Sequence, residues 1–298
     1  MKPYKLARRE KVGIISPAGP VKREELEKGL LILEELGFYT KLGLNIYALS
    51  QHNYMAGDDK QRVHDIHQMF MDKEIKAIIC SRGGYGSLRL LEHIDYEAIG
   101  KNPKILVGYS DITAIIMAIY KKIGLITFHG PMLRDFPRLS SVDIEGLIKM
   151  LTGKIDRISI KDPISIVSGK GKGVLLGGNL SMICHLIGTP FMPLEKEIIL
   201  FVEDVNEPYY KIDRMLTHLK ISGFLKHISG LIMGSFEKCG RRDIIEQIVF
   251  ERVSDMGFPV ISGFPIGHGK RNITMPVGIK VELDVDKKEI IFLEKPVI

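Results

Sequence analysis

Short apolar runs separated by amphipathic helical stretches recur through the first half of this sequence, and that alternation constrains its fold more than any other feature. Val12 to Ile15 reads as a strand ending in the turn Ser16-Pro17-Ala18-Gly19-Pro20. Glu24 to Leu36 follows as a helix, with Leu26, Leu30 and Leu33 at helical spacing and Gly37 as its stop. Phe38 to Leu42 is the next strand and Lys60 to Met71 the next helix. Lys76 to Cys80 runs as a strand into Arg82-Gly83-Gly84-Tyr85-Gly86, and Ile105 to Val107 runs into a helix over Asp111 to Ile123. Strands joined by helices of this length predict a mostly parallel sheet covered on both faces, an α/β fold. Such sheets place their sites beyond the carboxyl ends of the strands.

Past about residue 140 the pattern changes. Residues 155–172 are rich in Lys, Ser, Gly and Asp with alternating apolar positions, which suits a connecting segment or an edge strand. Val174 to Leu176 then leads into Gly177-Gly178-Asn179 and a helix from Leu180. Ile198 to Val202 is a strongly apolar strand, Arg214 to Ser222 a helix and Leu231 to Met233 a strand. Ile279 to Leu283 and Glu289 to Leu293 form a hairpin pattern around Asp284-Val285-Asp286. The reading is two domains, 1–150 and 173–298, with 151–172 as linker.

Composition narrows the function classes. With 298 residues, 45% hydrophobic, the chain can bury a large core without disulfides. Its 3 cysteines have no C-x-x-C spacing, so free thiols in a reducing compartment are expected. The apolar runs are too short to span a bilayer, and Met1 to Arg9 lacks the apolar core of a secretory signal. The net charge of +6 permits an anionic substrate. The basic residues are scattered and Trp is absent, so nucleic acid is not expected as a partner.

Three positions stand out chemically. Gly108-Tyr109-Ser110-Asp111 is a strand-to-helix turn, where a serine hydroxyl is exposed near a helix N-terminus that favours an oxyanion. The alternative is that Ser110 or Asp111 only caps the helix. A serine nucleophile needs a base, and that base an acid to orient it. Of 9 histidines, His268 in Gly267-His268-Gly269 lies in a loop that leaves its ring unobstructed, and His129 in Phe128-His129-Gly130-Pro131 is a second candidate for the cleft. Glu203 closes the apolar strand and needs a partner there, with Asp204 directed to the other side; Glu207 in the next turn is an alternative acid. The loop Arg82-Gly83-Gly84-Tyr85-Gly86 has neither the Walker residues nor dinucleotide glycine spacing, and beside a nucleophile it suits an oxyanion hole.

With these residues assembled, the chain resembles the LD-carboxypeptidase family of serine peptidases, which includes the microcin-immunity hydrolases. The likeness runs over nearly the whole length. It rests on Ser16-Pro17-Ala18, the glycine loop, Gly108-Tyr109-Ser110-Asp111, His129-Gly130-Pro131, Gly177-Gly178-Asn179-Leu180, Glu203 through Tyr210, Asp213-Arg214-Met215-Leu216 and Gly267-His268-Gly269. The resemblance implies an N-terminal flavodoxin-like parallel-sheet domain bearing the serine. It implies a smaller C-terminal α/β domain with a mixed sheet bearing the acid and base. It further implies Ser110 as nucleophile, His268 as general base, Glu203 as its orienting acid, and backbone N–H groups of Gly84 and Asp111 as oxyanion hole. Arg82 is expected to hold a substrate carboxylate. No metal or cofactor is implied. The expected protein is a cytoplasmic homodimer, away from membranes, that releases terminal D-Ala from murein tetrapeptides. The other activity within the resemblance is hydrolysis of peptidyl or aminoacyl adenylate amides. Outside it, a non-catalytic α/β ligand-binding protein would also have two domains and a cleft.

Overall fold

The alternation in the first half of the chain folds as a helix-covered parallel sheet, seen in a computed structural model that describes residues 1–298. Strand β1 (Lys11–Ile15) leads into helix α1 (Arg23–Glu35), β2 (Tyr39–Leu42), α2 (Asp59–Met71) and β3 (Ile75–Cys80). Helix α3 (Tyr96–Lys101), β4 (Ile105–Gly108), α4 (Thr113–Ile123), β5 (Thr127–His129) and α5 (Ser141–Leu151) complete this unit. The spatial order β2-β1-β3-β4-β5 is parallel throughout. That is the doubly wound order of flavodoxin-like sheets. Every residue of β4, and all of β3 except Lys76, is buried, so both read as continuous apolar runs. Local signals set the helix ends: Asp58 and Gln61 form a capping box on α2, and Gly124 closes α4 in the left-handed conformation.

The second sheet is built from β6 (Arg157–Ser159), β7 (Ile164–Val167), β8 (Lys170–Asn179), β9 (Ile198–Val205), β10 (Ile228–Glu237) and β11 (Val260–Ser262). After β12 (Met275–Val277), the hairpin strands β13 (Lys280–Asp284) and β14 (Glu289–Phe292) join it. Its order is β6-β14-β13-β8-β9-β10-β11-β7, parallel from β8 to β11 and antiparallel elsewhere. Helices α6 (Leu180–Leu186), α7 (Tyr209–Ile221) and α8 (Arg242–Val253) accompany it. The mixed sheet is as expected, but with 8 strands it is larger than the 6-stranded sheet of the N-terminal domain.

Two boundaries differ from the sequence reading. The segment 151–172 is not a bare linker, because β6 and β7 lie within it and form the two opposite edges of the second sheet. Edge strands are half exposed, which explains a composition that is polar yet alternating. The division at 173 is not clean either. β12 leaves the C-terminal domain and pairs antiparallel with β5 at the edge of the first sheet, Met275 opposite His129. Apolar side chains from both sheets form one core cluster of 83 buried residues, and α4 packs on α6 and β8 across the domain boundary. No helix is long and apolar enough to cross a membrane.

Candidate active site

The carboxyl end of β4 turns sharply, and Ser110 occupies the turn. Its φ of 62° is in the left-handed region, a strained conformation for a side-chain-bearing residue. A Cβ on Gly108 would come 2.7 Å from Ile112 Cγ2, so the tight turn needs glycine there. One 3₁₀ turn, Ser110–Ile112, connects directly to α4.

Ser110, His268 and Glu203 come from three distant places in the chain and meet. His268 Nε2 lies 3.2 Å from Ser110 Oγ, and His268 Nδ1 lies 2.6 Å from Glu203 Oε2. Glu203 sits near the end of β9, and His268 in the loop between β11 and β12, so the chain of contacts spans the two sheets. The carboxylate at Nδ1 fixes that nitrogen as N–H and leaves the Nε2 lone pair facing the hydroxyl. Burial alone would raise the Glu203 pKa, but the His129 and His268 rings beside it hold the carboxylate below its usual range. Burial would lower that of His268; the hydrogen bond and charge of Glu203, joined by the charges of Asp204 and Asp135, outweigh it, and the net shift is upward.

The two other acids near Glu203 are engaged elsewhere. Asp204 points to the opposite side of β9 and accepts from Asn179 Nδ2, the Ser181 N–H and its neighbour's Val205 N–H, at 2.8–3.0 Å. Burial and the Glu203 charge push its carboxyl up to about 6. Glu207 is paired with Lys211 at 3.1 Å.

The glycine loop is braced against the Ser110 turn. Gly19 N–H donates to Gly83 O at 3.1 Å, Ser16 Oγ meets Ser81 Oγ at 2.7 Å, and Ser87 N–H donates to Asp111 Oδ2 at 2.8 Å. Gly83 and Gly84 both line the cleft with Ser110, and a Cβ on Gly83 would come 3.0 Å from Ser110 Oγ. Gly84, at φ 130°, packs on Gly19. Arg82 lines the same cleft but spends two nitrogens on backbone, donating from Nε to Gly83 O at 3.2 Å and from Nη1 to Pro20 O at 3.1 Å.

The cleft measures about 770 Å³ and opens between the domains. His129, marked in sequence as a cleft residue, does not line it. It is fully buried behind Glu203, with Nε2 3.8 Å from Glu203 Oε1, and neither nitrogen nor that oxygen makes a hydrogen bond. Tyr109 stands edge-on to both imidazoles, its ring centroid 4.9 Å from His268 and 5.7 Å from His129. Sequence reasoning missed Arg134, Asn206 and Lys238, which all line the cleft. Asn206 and Lys238 share with Ser110 a positive φ, at 59° and 55°. Backbone strain of this kind leaves no periodic trace in a sequence. Nowhere do three or more His, Cys, Asp or Glu side chains gather as a metal site would require. The cysteines are free, and burial pushes the Cys80 thiol far above its ordinary range.

The sequence matches two family models, the LD-carboxypeptidase N-terminal domain over residues 12–130 and the LD-carboxypeptidase C-terminal domain over residues 172–283. A probable murein peptide carboxypeptidase of Bacillus subtilis is 39% identical over 297 residues, covering 96% of this chain and 92% of that protein. The crystal structure of a muramoyltetrapeptide carboxypeptidase from Oxalobacter formigenes superimposes with a TM-score of 0.82 at 32% identity, covering 94% of this chain and 97% of that one. The microcin C7 self-immunity protein MccF, in complex with aspartyl sulfamoyl adenosine, superimposes with a TM-score of 0.91 at 28% identity over 100% of both chains.

Proposed function

The chain belongs to the LD-carboxypeptidase family, and on that premise we propose that it is a serine carboxypeptidase that releases the terminal D-Ala of murein tetrapeptides. The observation that carries this reading is the Ser110–His268–Glu203 alignment, with Ser110 and His268 lining a cleft between two domains. The substrate class is supported by relatives whose names specify murein peptides.

In this mechanism His268 Nε2 takes the Ser110 proton as Oγ attacks the amide carbon between the L-centre of the third residue and D-Ala. Glu203 stabilises the imidazolium that forms, and it stays ionised because its own pKa is held low. Backbone N–H groups of Gly84 and Asp111 receive the developing oxyanion. The imidazolium then gives its proton to the departing amine of D-Ala, leaving an acyl ester on Ser110. Water, deprotonated by His268, hydrolyses that ester and restores the hydroxyl. The reading includes the family's expectation of a homodimer working in the cytoplasm, open to sedimentation and cell fractionation.

D-Ala release from a purified tetrapeptide, with the wild type beside Ser110→Ala, tests the proposal. The likeness to MccF favours a second reading, hydrolysis of peptidyl or aminoacyl adenylate amides, with an aminoacyl sulfamoyl adenosine as the probe. Turnover of both compounds by one preparation separates the two, and the peptide is expected to be the faster.

A further inference from the structure

The cleft around Ser110 contains more positive charge than its own carboxylates balance. Arg138 is paired with Asp135, but the half-buried Arg134 next to that pair contributes only its backbone, the N–H donating to Ser81 O at 3.0 Å. No carboxylate or carbonyl meets its guanidinium. Its root is nonetheless fixed. The Ser81 bond ties it to the end of β3, immediately before the glycine loop, and Asp135 on its other side accepts from the Met132 N–H at 3.1 Å. Arg82 lies in the same cleft, and burial together with the Arg134 charge presses its pKa down. Arg82 and Arg134 face one partly desolvated cleft whose carboxylate Asp135 is already paired with Arg138, so they repel each other, and a bound anion relieves that cost.

We propose that Arg134, rather than Arg82, binds the terminal carboxylate of the substrate, while Arg82 is a positioning residue that holds the oxyanion loop. The assignment rests on the carboxypeptidase reading and deepens it. Arg82 has two of its donors committed to Pro20 O and Gly83 O, and releasing them would loosen the loop that carries Gly84. Arg134 has its whole fork free, and a planar carboxylate matches that fork with two parallel hydrogen bonds. A cation one residue beyond the scissile amide is what separates a carboxypeptidase from an endopeptidase, because a chain continuing past that residue would bring a neutral amide to the place of the carboxylate.

The test compares a tetrapeptide ending in free D-Ala with the same peptide ending in D-alaninamide. The wild type is expected to prefer the acid, and Arg134→Gln to lose about 10- to 100-fold of that preference, chiefly through KM. Arg134→Lys, which keeps the charge without the fork, should retain part of it. Arg82→Gln should lower kcat on both peptides alike and leave their ratio in place. Thermal melting checks that each variant is folded, and Arg134→Lys serves if Arg134→Gln is not. An unchanged acid-to-amide ratio in Arg134→Gln overturns the assignment, as does a ratio that collapses in Arg82→Gln alone. Failure of the wild type to cleave either peptide is a different result, which overturns the carboxypeptidase reading and this assignment with it.

Discussion

The place where Gly267 would carry a side chain is occupied by the carboxylate of Glu203: a Cβ built there overlaps Oε2, the oxygen that holds His268. Gly267 also has a φ of 96°. Glycine is therefore required immediately before the histidine by the acid that orients it, more than by any need for a mobile loop.

Gly267→Ala is accordingly expected to displace Glu203 or turn the His268 ring, lowering kcat by about 100-fold or more, since a misplacement of 1 Å in a reacting group has that order of effect. Steady-state kinetics with a circular dichroism check on folding would show it. Activity at the wild-type level would contradict the geometry.

The pH dependence has a definite sign. In the proposed mechanism His268 must be unprotonated to take the serine proton, and Glu203 raises its pKa, so the acid limb of kcat/KM should fall above the ordinary imidazole value of 6.5. Glu203→Gln removes the two largest upward influences and leaves burial against the weaker pull of Asp204 and Asp135, so the His268 ring, followed by NMR, should then titrate lower. For stability, the raised imidazole contributes fully below its unfolded pKa, and the contribution is lost as pH rises through the folded value. The depressed Glu203 contributes above its unfolded pKa and loses the contribution as pH falls through its folded value.

His129 is expected to matter without touching substrate. It is the polar group facing the unbonded Oε1 of Glu203, packed edge-on against Phe201 at 5.2 Å between ring centroids. His129→Phe keeps the ring and removes the nitrogens, and kcat should fall by about 10-fold or more, as for other partners that orient an active-site group. A raised KM with no change in kcat would place its role elsewhere.

Gly178→Ala tests the domain junction. A Cβ there would lie 2.5 Å from Thr113 Oγ1, which also accepts from the Asn179 N–H at 3.1 Å, and φ at Gly178 is 143°. Thr113 begins α4 three residues after Ser110, so the substitution should destabilise the fold by about 1–3 kcal/mol and lower activity together. Denaturant titration measures the first effect.

Much of this was legible in the sequence because the site lies at strand ends, and strand ends were what the apolar runs marked. The turn at Ser110, the acid closing Ile198 to Val202 and the glycine loop after Cys80 all followed from that rule. The residues alone left Glu203 and Glu207 both open and put His268 foremost among nine histidines; the family resemblance chose the acid and gave His268 its role as base. Other features had no local signal. β12 is three residues with a proline, and only β5 makes it a strand. The stretch holding β6 and β7 read equally as a connecting segment or an edge strand, because edge strands carry polar faces. His129 looked like a cleft residue because its place after a strand says nothing of how deep the strand ends. Arg134 sits in a 3₁₀ turn without periodicity, so only the cleft itself singles it out.

D-Ala release from a murein tetrapeptide by the wild type and by Ser110→Ala, both shown to be folded, tests the central claim most directly. Release by the wild type and a loss of about 10⁴-fold or more in the variant are expected. Equal release by the two would contradict it.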